Sequence, residues 1–282
     1  MRWWIALPLL ASCELVFPLS DRDAAVVTDV SADAASVCPA FGPPVFLQNP
    51  RTIIGGVDCG NYTVSRSAER GMAICNAVIE EGPIDSAALA VSKIVVEAGQ
   101  SVSAPRLSPE GDQVFVTSKA TVDSLLSIRI YQRTDETWLF ADSPKVFPTA
   151  GAGTTVLASP PTRRAQSSRL VIVELFQAPT SVFQEFRDTE NDGWSFVRSY
   201  GVSELAVTAM TQPALSADGL RLVFTANTGQ VHYTARADLT QPFPPSFAIA
   251  IPNFAVAQYP YLTEDCARLY FTTTDTISYV DQ

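Results

Sequence analysis

The sequence is poor in the side chains that most enzymes use for catalysis. Its 282 residues include one histidine, His232, and a lone histidine is a weak basis for a metal site because zinc needs three or four protein ligands. A Ser-His-Asp triad would need His232 as its base, yet no Gly-x-Ser-x-Gly motif accompanies it. Neither a Cys-x-x-Cys pair nor a phosphate-binding Gly-x-x-x-x-Gly-Lys-Ser/Thr loop occurs. The sequence therefore predicts no catalytic and no cofactor-binding residue, and His232 is interpreted as a surface or strand-packing residue.

Basic residues are also scarce. The chain has 19 Lys and Arg against 29 Asp and Glu, which gives a net charge of −10. Because binding to nucleic-acid phosphates requires a basic face, this balance excludes nucleic acid as a partner. The acidic residues form no run of six, which is typical of a solvated surface that favours solubility. The hydrophobic content of 47% is ample for a buried core.

Long apolar runs are absent as well. The segment Trp3–Leu10, which follows Arg2, is far shorter than the roughly 20 apolar residues that a spanning helix needs, so it is typical of a secretory signal. The next residues, Leu10-Ala-Ser-Cys13, resemble the bacterial lipobox, after which the signal is removed and the cysteine receives lipid. We therefore predict a signal peptide over residues 1–12 and lipid attachment at Cys13. The alternative is an ordinary cleavable signal.

The resemblance to lipoproteins implies an exported protein that contacts a membrane through the lipid on Cys13. Glu14 follows the cysteine in place of Asp, which favours the outer membrane under the sorting rule of some Gram-negative bacteria. The folded part would then face the periplasm or the cell surface. Residues 13–39 are rich in Ala, Asp and Ser without an apolar period, so we predict a flexible tether there.

An exported compartment permits disulfide bonds, and four cysteines remain beside Cys13. Their spacing leaves three pairings open. They are Cys38, Cys59, Cys75 and Cys266.

From about residue 40 onward the chain carries an internal repeat. Three copies begin with Pro-x-Leu-Ser or Pro-x-Leu-Thr, and their hydroxyl residues, Ser108, Ser216 and Thr263, lie 108 and 47 residues apart. Because the first gap is about twice the second, we predict a degenerate copy at Arg164, and a similar stretch places a fifth at Ser67. An apolar triplet follows each clear copy at the same offset. The triplets are 114–116, 222–224 and 269–271.

The repeat has the composition of paired strands. Its proline is expected near the start of a short strand, and Asp/Glu-Gly forms the tight turn that follows. The apolar triplet indicates a second strand that is covered on both faces. Two further hairpins are predicted, one around residues 127–140 and one around 182–197. Each unit therefore has about four antiparallel strands, as in one propeller blade. Only Ser86–Glu97 approaches a helical period, and it is interpreted as a strand or a short helix.

The pattern Pro-x-Leu-Ser-x-Asp-Gly-x-x-Leu-x-Phe resembles the TolB-type β-propeller repeat, a relative of the WD-repeat blades. The copies at Ser108 and Ser216 are close to it, whereas Arg164–Ser167 lacks the turn acid and glycine, and Cys266 replaces a glycine. The resemblance implies an all-β propeller over residues 40–282 with about five four-stranded blades. A sixth blade is the alternative if residues 76–99 hide one. Residues 44–48 are expected to close the ring by pairing with the last blade.

One segment is similar to a calcium loop. Asp188, Glu190 and Asp192 stand at alternate positions before a glycine. An EF-hand would need an acid at the twelfth position, which is Ser199, and predicted strands flank the segment. We interpret it as a hairpin turn and keep weak Ca²⁺ binding as the testable alternative.

Aromatic and acidic residues do not by themselves predict a site. Glu80 and Glu81 would point to opposite sides of a strand, and a glycosidase pair would have to come from distant blades. The aromatic residues in strand patterns are interpreted as core between blades instead of a sugar-binding platform. They include Trp138, Trp194, Tyr259 and Tyr261.

These observations favour a non-catalytic lipoprotein of the cell envelope whose propeller binds or scaffolds a ligand. The expected partner is an envelope protein or a cell-wall glycan. The alternative is a propeller enzyme, a lyase or hydrolase that acts on extracellular sugars or lactones. Such an enzyme would need acids or a histidine at the channel mouth, often around Ca²⁺. A third interpretation is an inert spacer, since propeller blades serve all these roles.

Overall fold

The computed structural model describes residues 43–55, 59–65, 67–151, 153–163, 168–177, 179–189, 192–227, 229–263, 265–274 and 276–282. The predicted signal peptide, Cys13 and the tether lie outside these residues. Every regular element in the described ranges is a β-strand, and no helix there could cross a membrane.

The described strands form five four-stranded antiparallel sheets, which are the blades of a β-propeller. The first strand, β1 (Arg51–Gly55), belongs to the last blade. Blade 1 has β2 (Cys59–Ser65), β3 (Arg70–Cys75), β4 (Val78–Pro83) and β5 (Ala90–Val91). Blade 2 has β6 (Gln100–Leu107), β7 (Gln113–Ala120), β8 (Leu126–Thr134) and β9 (Thr137–Asp142). Blade 3 has β10 (Thr154–Ala158), β11 (Ser168–Gln177), β12 (Thr180–Thr189) and β13 (Gly193–Tyr200). Blade 4 has β14 (Met210–Leu215), β15 (Arg221–Ala226), β16 (Gln230–Ala235) and β17 (Phe247–Ala248). Blade 5 has β18 (Gln258–Leu262), β19 (Arg268–Thr272), β20 (Thr276–Asp281) and β1.

The ring closes as the sequence predicts, through an N-terminal strand that pairs with the last blade. The pairing strand is β1, however, and not residues 44–48. β1 runs antiparallel to β20, and Ile54 lies opposite Ile277 in the buried core. Residues 44–48 form no strand. Pro44 and Phe46 are buried, and Phe46 packs into the core. The β-branched run Thr52-Ile-Ile54 fits the sheet edge better than the proline-containing segment before it.

The five-blade count is confirmed, and the alternative of a sixth blade is wrong. Residues 76–99 contain β4 and β5, which complete blade 1. Within this segment Ser86–Glu97 contributes the two-residue strand β5 and a parallel bridge from Ile94 to Trp138 of blade 2. The strand interpretation of Ser86–Glu97 was therefore the better one.

A hydroxyl closes the turn of each clear repeat. Ser108 Oγ and Ser216 Oγ each accept a hydrogen bond from the backbone N–H five residues later at 3.0 Å, and Thr263 Oγ1 does the same. Gly219 and the residue that replaces glycine in blade 5, Cys266, both have a positive φ, of 72° and 56°. The replacement therefore keeps the turn, with the left-handed conformation that usually favours glycine.

The two degenerate copies differ from their predicted positions. In blade 1 the equivalent residue is Ser65, which pairs with Arg70, so the alignment on Ser67 was two residues out of register. In blade 3 the predicted copy at Arg164 lies outside the described residues, and Thr162 Oγ1 accepts the bond from Leu170 N at 2.9 Å. Both copies lack the Asp/Glu-Gly turn by which the copies at Ser108 and Ser216 can be aligned from sequence.

The apolar triplets form the core, as predicted. Val114–Val116, Leu222–Phe224 and Leu269–Phe271 are each at most 1% exposed. Aromatic rings pack edge to face between blades, for example Phe183 against Phe224 with ring centres 5.6 Å apart. Such pairs fix the spacing of the blades around the centre.

Ion pairs also join neighbouring blades. Arg236 of blade 4 bonds both carboxylate oxygens of Glu185 in blade 3, at 3.0 and 3.1 Å, and both side chains are fully buried. At the seam of the ring, Asp85 of blade 1 pairs with Arg268 and accepts a hydrogen bond from Tyr270 Oη, both in blade 5. These contacts hold adjacent sheets in one orientation.

The structure contains a disulfide bond between two neighbouring strands of blade 1. Cys59 and Cys75 lie directly opposite each other in β2 and β3, and their sulfurs are bonded at 2.02 Å. Of the three pairings left open by the sequence, only the one containing this bond remains. Cys266 is fully buried and is disulfide-bonded as well.

Candidate functional site at the channel mouth

The innermost strand of each blade faces the centre of the ring. These strands are β2, β6, β10, β14 and β18, each at one edge of its sheet. β2 contacts β6 and β18, and β14 contacts β10 and β18. In a propeller such strands surround a central channel, so side chains at their N-terminal ends lie at one mouth of that channel.

Four of these inner strands carry a β-bulge at the equivalent position. The bulged residue takes a positive φ of 49–58° although none is a glycine. Bulges of this kind redirect side chains and are common beside functional sites. The fifth inner strand, β10, pairs with β11 in a regular register without a bulge. The four bulged residues are Asn61, Ala104, Gln212 and Tyr259.

The repeat proline lies in this bulge. Pro105, Pro213 and Pro260 each follow the bulged residue, so the expectation of a proline near the strand start was wrong. A bulge on an inner edge strand leaves the proline nitrogen without a ladder bond to make, which is why proline is tolerated there.

The larger cleft at the mouth lies between blades 1 and 5 and has a volume of about 620 Å³. We call it the seam cleft. Its walls are β2, the β3–β4 turn, the loop before β18, and the end of β19. Its lining residues are Cys59, Gly60, Asn61, Ile74, Ala77, Asn253, Phe254, Ala255, Val256, Gln258, Tyr259, Thr272, Thr273 and Thr274.

A second cleft of about 380 Å³ lies between blades 3 and 4. Its lining includes Glu174, Thr211, Gln212 and Thr225, and Tyr259 lines both this cleft and the seam cleft. The two clefts therefore meet at Tyr259. The prediction that Tyr259 belongs to the core between blades is wrong, because its place in the bulge puts it at the mouth.

Glu174 is the carboxylate in the second cleft, and it is 1% exposed. It accepts hydrogen bonds from Gln212 N at 2.6 Å, Thr211 Oγ1 at 2.7 Å and Ser181 Oγ at 3.1 Å. Burial raises the pKa of Glu174, while these three donors oppose the shift. Because the donors come from β12 and β14, Glu174 ties blade 3 to blade 4.

Arg106 is the buried cation at the centre, 4% exposed. Its Nε donates to Ala158 O at 3.1 Å, its Nη1 donates to Asn61 O at 3.4 Å, and its guanidinium lies 5.9 Å from the centre of the Tyr259 ring. Burial lowers the pKa of Arg106 to about 10, opposed by Tyr259 and Glu174, so the side chain is charged at neutral pH. Arg106 therefore connects blades 1, 2, 3 and 5.

Two of the three predicted calcium residues, Asp188 and Asp192, lie in the described part of the chain. Asp188 lies in β12 opposite Trp194, Asp192 lies in the turn before β13, and Glu190 is outside the described residues. The flanking strands agree with the hairpin interpretation. Among the described residues no group of three His, Cys, Asp or Glu is placed to hold a metal ion. Calcium binding that includes Glu190 stays a prediction.

The remaining aromatic residues agree with a packing role. Trp138 is fully buried, Tyr261 is 8% exposed, and Trp194 packs edge-on against Phe115 with ring centres 5.7 Å apart. Trp194 also borders a third cleft, of about 350 Å³, between the outer strands of blades 2 and 3 and away from the channel.

His232 lies in β16 and packs in the strand, as the sequence suggests. It is 7% exposed, its Nδ1 lies 3.0 Å from Ser246 Oγ, and its ring lies beside that of Phe224. Burial lowers the pKa of His232 below its usual value.

This histidine predicts a pH dependence of stability. Because burial makes the pKa of His232 lower in the folded state than in the unfolded chain, the unfolded chain binds more protons once the pH falls below about 6.5, and acid therefore favours unfolding. We expect the free energy of unfolding to fall between about pH 7 and pH 5, by at most about 1.4 kcal/mol per pH unit from this residue. His232→Gln removes this part of the slope. Urea titrations of both proteins across the range test the prediction, and parallel curves would contradict it.

No protein-family model matches the chain, and a comparison with curated proteins finds no match. Among solved structures, the chain is similar to a putative TolB from Agrobacterium tumefaciens, with 11% identity and a TM-score of 0.49 over 78% of this chain and 72% of that chain. It is also similar to an oligogalacturonate lyase from Vibrio parahaemolyticus, with 8% identity and a TM-score of 0.40 over 81% and 79%. At these identities the likeness concerns the fold and assigns no activity to this chain.

Proposed function

We propose that this protein is a lipid-anchored binding module of the bacterial cell envelope and that its ligand docks at the channel mouth. The observation that carries the proposal is the meeting of two clefts at Tyr259, on a rim made of four bulged inner strands. Concave sites with a few fixed polar groups are the usual form of a ligand site. The described lining of the seam cleft consists of amide, hydroxyl, aromatic and aliphatic side chains and the Cys59 side chain. None of these described groups is suited to acid–base chemistry at neutral pH.

The anchor is supported by the lipobox-like sequence that ends at Cys13. We expect the mature protein to begin at Cys13 with added lipid mass, and Cys13→Ala to release the protein from the membrane fraction. Mass spectrometry of the N-terminus and fractionation test this. An unmodified mature N-terminus, or an unchanged distribution of Cys13→Ala, would contradict the anchor.

The binding role can be tested by filling the mouth. Gly60 lines the seam cleft, and a Cβ added there would make only ordinary contacts, 3.7 Å from Tyr259 and 3.8 Å from Thr272. Gly60→Trp should therefore occupy the cleft, whereas Ser195→Trp on an exposed outer strand serves as the matched control. Detergent extracts and glycan fractions of the envelope are passed over each immobilised propeller. We expect the wild type and Ser195→Trp to retain a component that Gly60→Trp loses. Identical retention by all three would contradict the proposal.

The alternative, a propeller enzyme that acts on extracellular sugars or lactones, has one observation in its favour. Glu174 is a buried carboxyl group with a raised pKa in the wall of a cleft, as is typical of a general acid. Its three hydrogen bonds equally suit a structural tie between blades. Incubation of the protein with oligosaccharides and lactones, followed by mass spectrometry, distinguishes the two roles. Turnover that disappears in Glu174→Gln would favour the enzyme.

A further inference from the structure

The seam cleft contains two buried polar atoms that have no hydrogen-bond partner. They are Asn61 Oδ1 and Thr272 Oγ1, and their residues are 7% and 4% exposed. Buried polar atoms in native proteins are nearly always paired, with protein groups or with a bound molecule. Both residues line the same cleft. Their coincidence there points to a ligand that supplies the missing partners.

Equivalent residues in other blades show that the fold can satisfy this position. Thr117, Thr225 and Thr272 each stand four residues after the start of the second strand of their blade. Thr117 Oγ1 donates to Val156 O of the next blade at 2.7 Å, and Thr225 Oγ1 donates to Gln212 Oε1 at 2.9 Å. Only the threonine in the seam cleft lacks such a bond among these three.

The bulged residues can also be compared between blades, and one of them is satisfied where its equivalent in the seam cleft is not. Gln212 and Asn61 occupy equivalent positions in blades 4 and 1. Gln212 Oε1 accepts from Thr225 Oγ1 and from Tyr259 N, the latter at 2.8 Å. Ile74 and Thr225 are each the fifth residue of the second strand of their blade. Asn61 therefore faces Ile74, whereas Gln212 faces the hydroxyl group of Thr225. The oxygen of Asn61 is therefore left for another partner.

The lining also indicates the charge of the ligand. Among the residues that the structure describes, the seam cleft is lined by no Asp, Glu, Lys, Arg or His. A charged group that enters such a cleft loses water without gaining a countercharge, which is unfavourable. An uncharged polar ligand avoids this cost.

Aromatic rings give the cleft an apolar wall. Phe254 is 36% exposed and is held edge-on by the core ring of Phe271, with ring centres 5.4 Å apart. Tyr259 forms another part of the lining. A ring that presents apolar surface beside amide and hydroxyl groups suits a molecule with both C–H faces and hydroxyl groups.

We propose that the seam cleft binds an uncharged saccharide, with Asn61 Oδ1 accepting from one of its hydroxyl groups and Thr272 Oγ1 bonded to another. A hydroxyl group can donate and accept, so one ligand type satisfies both residues. The volume of about 620 Å³ is within the range of small-molecule sites. This inference rests on the proposed binding function and names the ligand class for it.

The experiment uses an array of immobilised neutral and acidic oligosaccharides, probed with the labelled propeller, followed by calorimetry with the saccharides that bind. Thr272→Val removes the hydroxyl at constant shape, and Asn61→Gly removes the amide while glycine accepts the positive φ of 54°. Each should weaken binding of a neutral saccharide on the order of tenfold. Thr117→Val is the matched control, because its hydroxyl is paired and lies outside the seam cleft.

The melting temperature separates binding from folding. Thr117→Val should bind like the wild type and melt about 2–4 °C lower, since it loses a satisfied bond. Thr272→Val should melt no lower than the wild type, because its hydroxyl has no partner to lose.

The outcomes distinguish this inference from the proposed function. Neutral saccharide binding that both cleft variants weaken supports the inference. Preferred binding of acidic saccharides, or equal binding by all variants, overturns it. If no saccharide binds but Gly60→Trp still abolishes capture of an envelope protein, the saccharide inference is overturned and the proposed binding function stands. If no saccharide binds and Gly60→Trp does not change the capture of envelope components, both proposals are overturned.

Discussion

Arg236→Met is expected to lower the free energy of unfolding by about 3–5 kcal/mol, since removing one partner of a buried ion pair leaves the other charge in the core. Glu185 is fully buried, and its remaining partners among the described residues would be the hydroxyl of Tyr200, at 2.7 Å, and the more distant Arg198, at 3.5 Å. Arg236 also donates to Gly219 O at 3.0 Å, next to the turn of its own blade. Urea unfolding followed by circular dichroism measures the effect.

Arg198→Ala is the matched control, because Arg198 reaches the same carboxylate but is 23% exposed. Its loss should be about 1 kcal/mol or less. The double variant Arg236→Met, Glu185→Leu should recover most of the stability, since it removes both charges. If Arg236→Met and Arg198→Ala cost the same, the pair does not hold blades 3 and 4 together.

Ile54→Asp is the second large prediction and tests the closure of the ring. Ile54 is 8% exposed and lies opposite Ile277, which is fully buried. An aspartate there loses the apolar burial and places an unpaired charge beside the core. We expect a loss of about 3–5 kcal/mol, a large share of the roughly 5–15 kcal/mol typical of a folded domain. Urea unfolding measures the loss, and limited proteolysis should show early cleavage within residues 43–55.

Thr52→Asp provides the control, because Thr52 is an exposed residue of the same strand. It should change stability by less than about 0.5 kcal/mol and leave proteolysis unchanged. Equal behaviour of Ile54→Asp and Thr52→Asp would mean that β1 does not close the sheet of blade 5 in solution.

The repeat predicts the architecture because its residues act locally. Ser216 and the turn that ends at Gly219 close the same hairpin wherever they recur, and the triplet Leu222–Phe224 is apolar because both faces are covered. Where the turn residues are missing, the alignment slips, as at Ser67. The closing strand is misplaced for a similar reason, since its partner Ile277 is more than 200 residues away and no local turn fixes the register.

The candidate site could not be predicted in the same way. Its residues come from several blades, and Asn61 and Thr272 are separated by most of the chain. A signal exists nonetheless, because Asn61 stands where other blades have Ala104, Gln212 or Tyr259. This signal becomes visible only after the register of blade 1 is known. The buried pair of Glu185 and Arg236 likewise has no local pattern, since it depends on how two blades meet.

Mapping ligand contacts by NMR tests the proposed saccharide site in the seam cleft. Backbone amide signals of the labelled propeller are followed during titration with a panel of methyl glycosides of neutral hexoses and N-acetylhexosamines. We predict that shifts concentrate at residues 59–61, 253–256, 258–259 and 272–274, which line the seam cleft. Shifts that cluster instead at the cleft between blades 2 and 3, around Trp194, or no shifts with any glycoside, would contradict it.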